Sequence, residues 1–160
     1  MNIFYLDEDP QEASEMMCDK HNVKMILESA QMLSTAHRVL DDDGFADEYK
    51  LYKATHKNHP SSVWTRKTDE NYYWHFDLFR SMLSEYTFRY GKIHKCEGLL
   101  DALVVAPKNI NRGGFTPPPQ CMPDEYRSDD TVEAYRKYYI GEKASFAKWK
   151  FRETPDWFNV

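Results

Sequence analysis

Between Asp19 and Arg38 the residues His21, Lys24, Glu28, Gln31 and Thr35 recur at three- and four-residue steps. A helix over this stretch would align an imidazole, an ammonium, a carboxylate and an amide along one side. Met25 and Met32 flank that stripe, so it is not uniformly wet. A carboxylate with apolar neighbours and a cation one turn away can be tuned for acid, base or electrostatic work. The plainer alternative is a solvated face, on which Lys24 and Glu28 form a helix pair contributing about 0.2–0.5 kcal/mol.

A second cluster lies in "THKNHPSSVWTR", where His56, Lys57, His59, Trp64 and Arg66 surround Pro60. Lys and Arg bind phosphate oxygens, and an indole offers a face on which a base can stack. The alternative for Trp64 is a core anchor for its loop. Cys18 with His21, His56 with His59, and His94 with Cys96 are close pairs of possible metal ligands. None completes a paired zinc signature, so no metal is expected. The phosphate-loop, dinucleotide, nucleophile-elbow and zinc-protease motifs are absent, and no cofactor is expected.

The elements that must carry these groups are helical. The opening "MNIFYLD" reads as a short buried strand or extended arm, and Asp9-Pro10 as the cap and first residue of a short helix to about Cys18. The long helix follows, with Val23, Ile26, Leu27, Ala30, Leu33, His37 and Leu40 as its core stripe and Asp41 to Gly44 as its end. Pro60 opens a short helical turn ending near Arg66. Thr68 caps a second long helix, closed by Gly91, whose buried stripe is Tyr72, Phe76, Phe79, Leu83, Tyr86 and Tyr90. "KIHKCEGLLDALVVAP" predicts a further helix stopped by Pro107. Residues 108–127 hold four prolines and an adjacent glycine pair, Gly113-Gly114, and form a long ordered loop. Ser128 is expected to cap a last helix in which Val132, Tyr135, Tyr139, Phe146 and Trp149 share a side, with Trp157 and Phe158 of the tail docked on the body. The expected architecture is mainly α, a single-domain helical bundle over residues 1–160 with an extended N-terminal arm and a long Pro/Gly-rich loop.

Composition narrows the function. A chain of 160 residues with 41% apolar and 29% charged residues buries its own core. Three cysteines, odd in number and far apart, suit reduced thiols in a cytosol better than a disulfide framework. No apolar run is long enough to span a membrane and no signal peptide is present, so a cytoplasmic protein is expected. The net charge of −5 conceals strong segregation. Residues 1–18 carry five acids and no Lys or Arg, and residues 41–49 repeat that pattern. Residues 50–68 carry five bases and no acid, and residues 136–152 six bases against one acid. Two cationic, aromatic-rich segments can form a local anion-binding face on an acidic chain.

"CDKHNVKMILESAQMLSTAHR", "THKNHPSSVWTR" and "EYTFRYGKIH" resemble an uncharacterised family of small proteins from large tailed phages. That likeness covers most of the chain and implies an infected host cell as its setting, without an activity. More distantly, Asp19, His21 and Glu28 are similar in order and spacing to the first long helix of the endonuclease V-type pyrimidine-dimer DNA glycosylases. His59-Pro60, Trp64 and Arg66, then Glu85, Arg89, Tyr90 and Gly91, then the run Tyr135 to Lys143, follow in the order that group shows. The resemblance implies an all-α DNA glycosylase/AP-lyase in which an N-terminal amine, here that of Met1, attacks C1′ of a damaged nucleotide and Glu28 supports the cationic transition state. It gives His21 the phosphate or sugar. Lys24, Gln31, Arg38, His56, Lys57, His59, Trp64, Arg66, Arg89, Lys137 and Lys143 would then grip the nucleic acid. The segment ahead of His21 is longer than in that group, which on length alone would carry the amine away from Glu28.

The expectation is therefore an enzyme on DNA of the glycosylase/lyase type, or a derivative of that scaffold that binds DNA bases. One alternative is a non-catalytic phage protein that binds a host or phage protein through its acidic segments. A weaker one is an enzyme on a free modified nucleotide. The first requires the basic segments to converge with Glu28; the second would leave Glu28 plainly solvated.

Overall fold

The computed structural model describes residues 1–158. Its helices are α1 (Pro10–Met16), α2 (Asp19–Leu40), α3 (Asp43–Glu48), α4 (Pro60–Thr65), α5 (Asp69–Tyr90), α6 (Leu100–Leu103) and α7 (Thr131–Lys143). Single 3-10 turns lie at Lys95–Leu99 and Asp124–Tyr126. The domain is mainly α, as the pattern predicts.

Local chemistry fixes most boundaries. Asp9 caps α1 by accepting from the Gln11 and Glu12 amides, and Thr68 caps α5 by accepting from Asn71. Gly91 ends α5 at φ 65°, the left-handed conformation that glycine adopts without a Cβ penalty. α2 and α5 run antiparallel as the spine. Asp19 at the start of α2 pairs with Arg89 at the end of α5, and His37 near the end of α2 meets Tyr72 near the start of α5. α1 lies along α5, where Trp74 donates to the Glu8 carbonyl and Arg89 to that of Glu15.

Three elements differ from expectation. Residues 92–107 do not form one helix. His94 caps a 3-10 turn by accepting from Cys96, and only Leu100–Leu103 winds as α-helix. Gly98 in the middle of this run weakens helix propagation. The Asp41 to Gly44 segment ends α2 but also starts α3, capped by Asp42. The last helix is capped by Asp130, which accepts from Glu133, while Ser128 bonds the Asp130 carbonyl from outside. That helix stops at Lys143, so Phe146 and Trp149 pack from the segment beyond it.

The largest difference concerns α2. Its supposed polar side is covered: His21 and Thr35 are buried and Glu28 is only 16% exposed, whereas Val23 of the expected core stripe faces outward. The cover comes from sequence-distant segments. Ile3, Phe4, Tyr5 and Leu6 of the extended arm are all buried. Arg136 of α7 clamps the arm by donating to the Leu6 carbonyl. α2 is thus a central helix buried along most of its faces, with Lys20, Val23 and Lys24 in its first turns and Val39 in its last reaching the surface. The long loop is ordered through Trp64 Nε1, which donates to the Thr116 carbonyl, and through Asn71, which accepts from the Thr116 amide.

Candidate active site at the chain's amino terminus

The arm delivers the α-amino group of Met1 to 3.6 Å from Glu28 Oε1. The longer leader does not carry the amine away, because residues 3–6 turn through the core instead of extending past α2. Ser61 Oγ, in the first turn of α4, holds the Met1 carbonyl at 3.5 Å and lies 3.6 Å from Cys121 Sγ of the long loop. Lys24 Nζ approaches the other Glu28 oxygen at 4.0 Å. The Glu28 carboxylate therefore sits between two cations in a largely desolvated setting, where charges interact more strongly than in water.

His59 completes the cluster. Its Nδ1 accepts the Ser61 amide as the cap of α4, which leaves Nε2 to carry the proton of the neutral ring. Burial lowers its pKa; the Met1 amine and His56 push the same way, and Glu28 opposes them. Ser61 thus joins His59, through its amide, to Met1, through its hydroxyl. The route of the basic segment explains the placement. Thr35 Oγ1 accepts from the Thr55 amide, so residues 55–59 run back along α2 from Thr35 towards Glu28, about 10 Å at 1.5 Å per residue.

A buried polar chain braces the elements that carry the site. Thr65 Oγ1 donates to the Ser61 carbonyl at 2.8 Å and lies 2.8 Å from His75 Nδ1. His75 Nε2 is 2.8 Å from Ser29 Oγ, beside Glu28 on α2. With Thr65 donating to Ser61, the imidazole donates through Nδ1 and accepts the Ser29 hydroxyl at Nε2. Burial lowers the His75 pKa to about 3, so the ring is a neutral strut that fixes α4 against α2.

The remaining residues selected from the sequence separate clearly. Lys24, Gln31, His56 and Lys57 keep exposed or half-buried positions on or beside this end of α2. His21 is instead a core residue. Phe4 stacks on it at 4.3 Å between centroids, and its Nδ1 lies 2.6 Å from Tyr139 Oη. Burial, then Lys143, Lys24 and Lys20, lower its pKa to about 3. Arg89 is buried on Glu85, Asp19 and the Glu15 carbonyl. Arg38 holds Asp43, Asp47 and the carbonyls of Leu51 and Tyr52. Arg66 donates to Ser62 Oγ and the Lys57 carbonyl, and Trp64 is 6% exposed, without an open face for a base. Lys137 pairs with Glu133 on the outside of α7, whereas Lys143 lies over Tyr138. These arginines and Trp64 build the scaffold that orients the site.

Sequence reasoning missed Ser61, Cys121 and the Ser29–His75–Thr65 brace. Ser61 carried a faint signal as a polar residue in a Pro-initiated helical turn. Cys121 carried none, since only the loop's path brings it near. Among the described residues, no three His, Cys, Asp or Glu side chains gather in a group able to hold a metal ion. Gly113 packs its bare Cα against Thr68 and ties its amide to Asp69, which accounts for the glycine without a phosphate.

Comparison with protein-family models, curated proteins and solved structures finds no match to this chain.

Proposed function

We propose that the protein acts on nucleic acid through imine chemistry at the Met1 α-amine, as a DNA glycosylase/AP-lyase or a descendant of that scaffold. The observation that carries this reading is the 3.6 Å separation of the amine from a poorly exposed Glu28. In the proposed reaction the unprotonated amine attacks C1′ of the target nucleotide. A C–N bond forms to the sugar, and the glycosidic bond breaks with its electron pair leaving on the protonated base. Glu28 accepts the proton released by the amine and passes it to O4′ as the C1′–O4′ bond breaks, which opens the sugar ring to the cationic iminium and restores the carboxylate that stabilises it. It then removes a proton from C2′, and the 3′ phosphate departs by β-elimination before water hydrolyses the imine.

The neighbours support these roles. Lys24 offers a cation at the rim for a phosphate. His59, held mainly neutral and bonded to the same Ser61 that holds the Met1 carbonyl, offers an Nε2–H donor on the α4 side of the amine. A solvated Glu28, which a purely acidic docking face would require, is not what the fold presents. The resemblance to small proteins of large tailed phages supports an infected host cell as the setting of this chemistry.

Borohydride trapping on labelled DNA containing abasic sites tests the proposal. Wild type should give a covalent band that disappears when the amine is acetylated, and Glu28→Gln should retain trapping but lose strand cleavage. Mass spectrometry of the adduct should place it on the terminal residue. An intact, unblocked Met1 that gives no band would sink the mechanism. A band only with a free deoxyribose phosphate would transfer the chemistry to free nucleotides.

A further inference from the structure

The segment after α7 presents a surface that the site above does not use. Lys150 donates its amide to both carboxylate oxygens of Asp19, and the Asp19 amide donates to the Lys148 carbonyl, so residues 148–150 are clamped to the start of α2. Phe151 follows at φ 61° and is 71% exposed. A bulky side chain in the left-handed region is strained, and leaving its ring in water adds a second cost. Phe88, 50% exposed, meets it edge to face with 6.5 Å between ring centroids. The Arg152 guanidinium lies over the Phe88 ring at 4.2 Å, whereas Phe151 combines its strained backbone with a ring left mostly in water.

The surroundings are cationic. Lys150 Nζ lies between the Tyr90 and Phe151 rings, at 5.3 and 5.5 Å from their centroids. Lys20 and Lys143 both lie over Phe146. The carboxylates that approach this face, Asp19, Glu85 and Glu15, are each held by Arg89 or Arg152. Among the described residues Lys20, Lys143, Lys148 and Lys150 have no carboxylate partner. Lys20, Lys24 and Glu28 then succeed one another at four-residue steps, about 6 Å apart along α2. A row of aromatic rings and lysines thus runs from Phe151 to the Met1–Glu28 pair.

We propose that this row is a binding track for single-stranded nucleic acid. Phe151 is the platform on which an unpaired base stacks, and Lys150, Lys20 and Lys24 follow the phosphates towards the amine. Stacking needs an open aromatic face and tolerates any base, and lysines spaced along a helix suit successive phosphates of a stretched strand. A duplex keeps its bases stacked inside and cannot use Phe151 in this way. The inference rests on nucleic acid being the substrate, and it narrows that substrate to single strands or unpaired regions.

Fluorescence anisotropy with a labelled oligothymidylate and a duplex of equal length tests it. Wild type should bind the single strand more tightly. Phe151→Ala should weaken that binding about 5- to 150-fold, the loss of one stacked base, while Phe151→Trp retains it. Lys20→Gln with Lys150→Gln should flatten the salt dependence by about 0.7 per lost phosphate contact. Phe151→Gly, which relieves the backbone, confirms by an unchanged or higher melting temperature that weakened binding is not unfolding. Equal affinity for the duplex, or no effect of Phe151→Ala, would overturn the track. So would an acidic phosphopeptide bound as tightly with the same dependence on Phe151. A trapped imine with normal binding by Phe151→Ala leaves the amine chemistry standing and removes this surface. Phe151-dependent strand binding in a protein that traps no imine does the reverse.

Discussion

His21 and His75 are both buried and both titrate near pH 3 in the folded chain, against an ordinary value of 6.5. Between those limits the unfolded chain binds more protons than the folded one. Stability therefore rises with pH in this window: it is complete above about pH 6.5 and falls as the pH drops towards 3. Each imidazole contributes a limiting slope of about 1.4 kcal/mol per pH unit. Two together give about 2.7, so acidification from pH 7.5 to 5.0 should remove roughly 4 kcal/mol, allowing for the gradual onset near 6.5. That is a large share of a typical stability of about 5–15 kcal/mol, and it precedes carboxylate titration. Urea unfolding followed by tryptophan fluorescence at several pH values measures it directly. His75→Gln, whose amide can still meet Ser29 and Thr65, should show about half the slope. A stability unchanged within about 1 kcal/mol between pH 7.5 and 5.0 would refute the view that both rings are held neutral by burial.

Two other perturbations probe the scaffold. Arg89→Met strips a buried guanidinium from Glu85 and Asp19 and should cost about 3–5 kcal/mol, lowering the melting temperature by about 10 °C or more in a thermal scan; a drop of under about 2 °C would show the network to be dispensable. An added methyl at Gly141 would run into the Tyr126 ring, whereas one at Gly98 meets nothing. Gly141→Ala should therefore destabilise by about 1–3 kcal/mol in denaturant unfolding, with Gly98→Ala close to neutral.

Capping chemistry and periodicity made α1, α2, α4 and α5 legible in the sequence, because Asp9-Pro10, Pro60, Thr68 and Gly91 act within a turn of their own position. What a helix face meets is decided elsewhere in the chain. Polar spacing put His21 and Thr35 on an outer stripe, but Phe4, Tyr139 and the Thr55 backbone cover them. Arg38, Arg66 and Arg89 looked available because their acceptors, several of them backbone carbonyls, have no signature in sequence. Glu28 and Met1 were legible as a pair only through the resemblance; their separation required the path of the arm. Residues 92–107 misled because an apolar run of that length fits helix until the cap at His94 and Gly98 is weighed.

Beside its contacts with α2, α4 and α5, the amino-terminal segment is held by the far end of the chain. Leu6 is gripped by Arg136 across 130 positions, Met16 receives the Trp149 indole, and Asp19 is closed by Lys150. Such separations are unusual for a helical protein and favour slow folding. On the ribosome the first residues emerge long before their partners exist, and α2 must wait with its hydrophobic faces open. The full set of contacts around the arm and α1 thus comes into being only after synthesis has passed Lys150. The protein is in that sense self-timed: a still-growing chain has its terminal amine before it has all the contacts that hold the arm in place.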